Sequence, residues 1–310
     1  MQLLNTNALK FRGSMPLKRF ICALLGSMTI LVASSFTKAY SQEKHSIRTI
    51  VLDPGHGGSF HGANGSGFYT GEPYAREQDV TLQVALKLGK VIEQAFPDVK
   101  VIYTRTEDIQ LADKLSADLR ERINIANRAK ADLMIAIHCN SMGLRRVVTG
   151  YRKSSSGRKI PIYHTRTASP GTKGVETFVA GSERIDEQVE AIGEYATLRD
   201  DYKVDEKISR GNPEDEIFLS LVNNDLRKKS ILLASLLQDE YVATGRVNRG
   251  FKEQSLAVLR TATMPSILTE IGFISNIEEE RYITSEEGQN EIVGCILKAL
   301  QIYSKQMELN

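Results

Sequence analysis

The sequence predicts a single α/β domain built on a mixed, mostly parallel sheet flanked by helices, with a helical insertion. Short apolar runs rich in β-branched residues recur along the chain. Between most of them the apolar residues fall at helical spacing instead, the alternation that builds a sheet with helices packed on it. The scale agrees: 310 residues, 41% hydrophobic and 25% charged, can bury one large core, which excludes disorder as the main state.

Taken in order, the first 41 residues stand apart. Lys10, Arg12, Lys18 and Arg19 precede an apolar stretch over 20–36, and Ala39-Tyr40-Ser41 has small residues at both ends of a cleavage triplet. This is the pattern of a secretory signal peptide over 1–41, so the mature chain is expected to begin near Gln42. The alternative is one N-terminal membrane anchor, but Gly26, Ser27, Thr29, Ser34 and Ser35 leave its strongly apolar part short for a span. Forty Lys and Arg against 38 Asp and Glu leave +2; residues 1–41 hold five of the basic residues and no acid, so the remainder stands at 35 against 38, a net −3. With no run of like charge to act as a basic arm, nucleic acid is not an expected partner.

Strand runs follow at 49–52, 100–103, 133–137, 175–179 and 266–268. Val80, Val84, Leu88, Val91, Ile92 and Ala95 form one helical stripe. A longer one includes Ile217, Leu221, Leu233 and Leu237, and Ile292, Ile296, Leu297 and Leu300 form a third. Asn212-Pro213-Glu214-Asp215 supplies an N-cap, a proline at the first helical position and acids in the first turn, and Gly245 follows the last periodic residue. The polar stretch over 145–171, rich in Ser, Thr, Gly and basic residues, reads as a long exposed loop. Cys139 and Cys295 permit a disulfide and demand none; both are expected to be free and buried.

The chemistry concentrates at strand ends. Val51-Leu52-Asp53-Pro54-Gly55-His56-Gly57-Gly58 runs a buried strand into a tight turn that displays His56, where open α/β sheets hold ligands. The run 133–137 ends in the same way at His138. Two such histidines can converge, and neutral imidazole is the commonest protein ligand for zinc. Glu77, at the start of the first helical stripe, suits either a third ligand or a favourable first-turn charge, and both readings stay open. Glu270, among apolar neighbours at a strand end, must face a polar centre. It suits a general base beside an activated water or a structural ion-pair partner. Asp53 is a candidate to orient the His56 ring. His45, His61 and His164 read as solvated, and the chain has neither a Gly-x-Ser-x-Gly elbow nor a Gly-x-Gly-x-x-Gly after Leu52.

These residues sit in six ordered motifs: 51–58, Arg76-Glu77-Gln78-Asp79-Val80, Tyr103-Thr104-Arg105 with 122–127, Ile137-His138-Cys139-Asn140, Gly174-Val175-Glu176-Thr177, and 268–276. The set resembles the zinc-dependent N-acetylmuramoyl-L-alanine amidases that cleave peptidoglycan, over nearly all the chain beyond Thr49. The resemblance implies a catalytic domain over 47–304, one zinc ion per chain bound by His56, Glu77 and His138, and Glu270 as the catalytic glutamate. It implies hydrolysis of the amide between N-acetylmuramic acid and L-alanine, in an exported enzyme of the cell envelope with no stable membrane span in the mature chain. Within an insertion over 181–245, a helix over 183–198 carries Ile185, Val189, Ile192 and Ala196 on one stripe and Glu183, Glu187, Glu190 and Glu194 on another. By the same resemblance this helix would block the metal, with Glu190 or Glu194 as the plug, until an activator protein displaces it; the other reading is a solvated surface helix. Rival functions are a catalytically silent peptidoglycan-binding or activator-binding protein and a zinc peptidase cutting within the stem peptide.

Overall fold

A computed structural model describes residues 47–69, 72–167, 169–182, 185–196 and 212–308. The signal-peptide segment 1–41 lies outside the described residues. The expected sheet has six strands: β1 (Thr49–Pro54), β2 (Lys100–Tyr103), β3 (Leu133–Asn140), β6 (Val175–Ala180), β7 (Asn248–Gln254) and β8 (Ser266–Phe273), in the order β2-β1-β3-β8-β6-β7. The first four in that order are parallel; β6 runs antiparallel to β8 and parallel to β7. The sheet is therefore mixed, and its direction reverses one strand from its centre.

Alternation along each strand divides the core between two faces. Ile50, Leu52, Ile135, Ile137, Ile267 and Ile271 meet α1 (Glu77–Ala95), α4 (Pro213–Ala243) and α6 (Glu286–Glu308) through Val84, Leu88, Leu237 and Ile296. Val51, Met134, Ala136 and Leu268 point the other way, onto α2 (Leu115–Arg128) and Leu259 and Met264. Each fully buried aliphatic side chain contributes about 1.5–3 kcal/mol to this packing. The caps fall where the sequence places them: the Asn212 side chain accepts from the Glu214 amide at 3.2 Å, and Gly245 adopts φ +81° just past α4. A shorter helix, α5 (Ile277–Thr284), follows β8 and is capped by Asn276.

Two expectations need correction. The stretch over 145–171 is not one long loop. It folds as an antiparallel hairpin, β4 (Leu144–Lys153) and β5 (Lys159–Thr167), forming a separate two-stranded sheet. Val147, Val148, Thr149, Ile160, Ile162 and Tyr163 supply the β-forming residues, and Gly157 at φ +79° lets the chain turn back. Strand β7 was absent from the predicted set because its NRGFKEQ sequence is polar and mostly exposed, as an edge strand tolerates. The first helix of the insertion is α3 (Ile185–Ala196); residues 183–184 and 197–198 of its predicted span lie outside the described residues. Its Ile192 is buried against Leu219 and Leu226 of α4, and Glu187 pairs with Arg260 at 2.9 Å. Cys139 and Cys295 are free and buried. Among the described residues no helix is long and apolar enough to cross a membrane.

Candidate metal centre

The turn after β1 is held by two arginines. Arg122 donates to the Pro54 carbonyl at 2.8 Å and the His56 carbonyl at 2.7 Å while pairing with Asp53 (2.8 Å) and Asp118 (2.9 Å). Arg105 donates to the Pro54, Gly55 and Gln78 carbonyls at 3.0, 2.8 and 2.8 Å, tying the turn to the start of α1. Burial and the charge of Arg122 push Arg105 down to about 10, so it stays charged at neutral pH. This clamp holds His56 at φ +62°, a left-handed conformation costly for a residue with a Cβ. Asp53 does not orient the His56 ring as expected; it accepts from Thr104 Oγ1 at 2.5 Å and from Arg122.

The second histidine comes from the end of β3 and packs against that same turn. A Cβ on Gly55 would lie 2.4 Å from His138 Cε1, so only glycine lets the turn approach the ring. The His56 and His138 rings meet edge to face with centroids 4.9 Å apart. Glu77 lies between them, its Oε1 3.2 Å from His56 Nε2 and 3.1 Å from His138 Nδ1. The same oxygen accepts the Cys139 amide at 3.0 Å, and Oε2 accepts the Ala63 amide at 2.7 Å. These partners all lie outside α1. Burial raises the proton affinity of this carboxyl, but hydrogen bonds and charge from His138 and His56 outweigh it and hold Glu77 well below the usual carboxylate range. His56, Glu77 and His138 thus bring one donor atom each within 4.8 Å of one another and could hold a metal ion. Two imidazoles and an ionised carboxylate are a donor set that suits zinc with an open coordination position.

Glu270 stands beside this group. Its register partner on β3 is His138, so the two side chains leave the same face of neighbouring strands. On the other side its partner is Glu176 of β6, which is buried and paired with Arg249 and with Lys252, the latter at 3.0 Å. Glu270 Oε2 is itself buried without a hydrogen-bond partner among the described residues. Burial, followed by the charges of Glu77 and Glu176, raises this carboxyl well above the usual range. Such an orphaned oxygen is expensive unless a cation or a proton completes it, so it suits a metal or substrate beside the three donors.

The other sequence candidates lie elsewhere. His61 and His164 are exposed, and His45 lies outside the described residues. Burial and nearby carboxylates raise the Cys139 thiol well above its usual value, which disfavours a thiolate nucleophile. Glu190 and Glu194 line a cavity of about 690 Å³ between α3 and α2, together with Arg120 and Asn124. The docking of Ile192 on α4 and of Glu187 on Arg260 turns the acidic stripe that way. Sequence reasoning assigned no role to Arg105, Arg122 or Gly62. At φ +70°, Gly62 lies so close that a Cβ would come within 2.6 Å of Glu77 Oε2 and 2.7 Å of His56 Cδ2. The available signal was membership of a motif for the two arginines, Tyr103-Thr104-Arg105 with 122–127, and for Gly62 its place in the loop between two candidate ligands.

Comparison with known proteins agrees with this picture. The family described as N-acetylmuramoyl-L-alanine amidase matches residues 50–302. The amidase AmiC of Escherichia coli O6:H1 is 29% identical over 259 residues, covering 82% of this chain and 52% of that protein. AmiA of Salmonella typhimurium is 25% identical over 276 residues, covering 89% of this chain and 82% of that protein. The chain spans about half the length of the first curated relatives it matches. Among solved structures, an N-acetylmuramoyl-L-alanine amidase from Clostridium difficile 630 shares the fold at TM-score 0.53 and 23% identity, covering 83% of this chain and 96% of that one. The CwlD amidase of Clostridioides difficile, solved in complex with the GerS lipoprotein, does so at TM-score 0.54 and 22% identity, covering 83% and 98%.

Proposed function

The chain belongs to the N-acetylmuramoyl-L-alanine amidase family, and from that premise we propose that it is a zinc-dependent enzyme hydrolysing the amide between N-acetylmuramic acid and L-alanine in peptidoglycan, with His56, Glu77 and His138 as ligands and Glu270 as catalytic base. One observation carries this reading: the three donors converge beside a buried carboxylate oxygen with no hydrogen-bond partner among the described residues. Bound there, zinc supplies Lewis acidity toward the scissile carbonyl and eases deprotonation of water.

The remaining work falls to the chain. The Arg105 and Arg122 clamp fixes the His56 backbone, the Gly55 contact fixes the His138 ring, and Ala63 and Cys139 orient the two Glu77 oxygens. Preorganisation of this kind keeps the donors from relaxing toward solvent. Glu270 Oε2 accepts a proton from the attacking water and returns it to the departing L-alanine nitrogen. A carboxylate made more basic by burial suits both steps.

The basic-then-apolar pattern of 1–41 supports export to the compartment that holds peptidoglycan. A relative solved with a lipoprotein supports a protein partner as well. Such an activator would act on this chain by displacing α3, which docks on α4 through Ile192. The deciding experiment is mass spectrometry of purified muropeptides after incubation with zinc-loaded protein. An amidase frees the lactyl carboxyl of the sugar and the amino group of L-alanine. Cuts inside the stem would make the protein a peptidase, and unchanged muropeptides a silent binder. Activity should vanish with a chelator and return with zinc.

A further inference from the structure

The β4–β5 hairpin supplies nothing to the metal centre, and its charge sets it apart. Residues 144–167 contain seven Lys and Arg and no Asp or Glu, while the rest of the chain beyond residue 41 holds 28 basic residues against 38 acidic ones. Arg152, Lys153, Arg158 and Lys159 are exposed and have no ion-pair partner among the described residues. Arg146 lies over the Tyr163 ring, 4.6 Å from its centroid. The register sets Lys153 opposite Lys159, and like charges facing across a ribbon repel. No acid within the hairpin relieves that repulsion; an anion bound from outside would.

The hairpin also stands in a telling place. It leaves β3 through residues 141–143, where the Met142 amide donates to Ser275 Oγ at 3.0 Å, and it returns to the sheet at Val175, the start of antiparallel β6. Both roots therefore lie at the sheet end where His138 and Glu270 stand. Strand β5 also rests against the short helical turn Ser66–Tyr69, in the loop whose Ala63 amide holds Glu77.

We propose that this hairpin is a substrate-binding arm that takes the free carboxylates of peptidoglycan peptide stems, holding the polymer beside the metal centre. The proposal rests on the amidase reading, because the bond to be cut begins the same stem that carries those carboxylates. Arginine forks match carboxylates in paired hydrogen bonds, and a concentrated positive field draws in a polyanion before contact. A membrane fits less well. Val148, Tyr151, Pro161 and Tyr163 share one face of the ribbon, but Arg146, Lys153 and Lys159 interrupt it and Ile162 points from the other, so no unbroken apolar face is available to enter a bilayer.

The test is co-sedimentation of the zinc-loaded protein with insoluble peptidoglycan stripped of other wall polymers, against the same material with its carboxylates converted to amides. Wild type should lose about tenfold in binding on amidation. A variant with Arg152→Gln, Lys153→Gln, Arg158→Gln and Lys159→Gln should bind native material as weakly as wild type binds the amidated form, with melting temperature and zinc content retained. Arg152→Lys with Arg158→Lys keeps the charge but loses the forks, so it should bind native material more weakly than wild type and more strongly than the glutamine variant. Equal binding of native and amidated polymer by wild type overturns the proposal, even if the glutamine variant fails to fold. So does a stronger preference for vesicles of anionic phosphatidylglycerol. Sedimentation is read without turnover, so carboxylate-dependent binding with no muramoyl product would sink the amidase reading and spare the arm. Normal amidase products with binding indifferent to amidation would do the reverse.

Discussion

Among the four side chains gathered at the sheet end, Glu270 has the least company. Its buried Oε2 has no hydrogen-bond partner among the described residues, and its neighbours Glu77 and Glu176 are also acids. Those terms cost stability, and the proposed role as base accounts for the cost. Glu270→Gln keeps the shape and removes the base, so turnover on purified peptidoglycan should fall by on the order of a hundredfold or more while zinc content stays near that of wild type. Zinc lost in step with activity would make Glu270 a ligand instead. The same pair of proteins, metal-free, should reveal the cost through urea unfolding at several pH values. A raised folded-state proton affinity means that ionised Glu270 destabilises wild type at neutral pH, and the penalty disappears below its ordinary value of 4.5, where folded and unfolded chains are both protonated. The glutamine variant should therefore be the more stable at neutral pH and lose that advantage in acid. Glu77 has the opposite sign: its depressed value contributes stability that is complete above 4.5 and lost as pH falls from there through the folded value. Metal-free Glu77→Gln should accordingly be less stable than wild type at neutral pH, with the gap closing in acid.

At the level of elements, the turn after β1 depends on α2 through one guanidinium. Arg122 pairs with Asp53 Oδ1 and Asp118 Oδ1 and donates to two turn carbonyls from a position 1% exposed. Arg122→Met would leave two buried carboxylates facing an apolar side chain. The expected loss is about 3–5 kcal/mol in urea unfolding, together with weaker zinc binding as the His56 backbone relaxes. The insertion makes a separate prediction. Ile192→Ser should free α3 from Leu219 and Leu226. If α3 restrains access to the centre, initial rates on peptidoglycan rise at equal zinc content; if it is only a docked surface helix, they stay equal. These elements also show what was legible in advance. A strand running into Pro-Gly-His-Gly displays its histidine by local rules, so His56 and His138 could be picked out from the chain alone. The direction taken by an acid in the first turn of α1 depends on a strand 60 residues away, so Glu77 could be read equally as ligand or cap. Arg105 and Arg122 stood in a recognisable motif, but buried arginines look like surface residues in a sequence, which hid their role as a clamp. In the hairpin, serines and basic residues outnumbered the β-branched pairs that make it a ribbon, and it read as loop.

Across the whole molecule, fold class was the most legible property, because the alternation of strand runs and helical stripes repeats along the chain and each repeat supports the others. What pattern alone could not supply was direction: the reversal at β6 places Glu176 beside Glu270, and no local signal announces it. The centre is the sum of these long connections. His56 belongs to the turn after β1 and His138 to β3, Glu77 to the first helix between them, and Glu270 to a strand laid down after the whole insertion. The contact between Gly55 and the His138 ring can form only when β1 and β3 are already side by side. Competence is therefore a late event in the life of each molecule. A chain still being made has not brought His56, Glu77 and His138 together, so on the proposed reading it has no activity until its folding is finished.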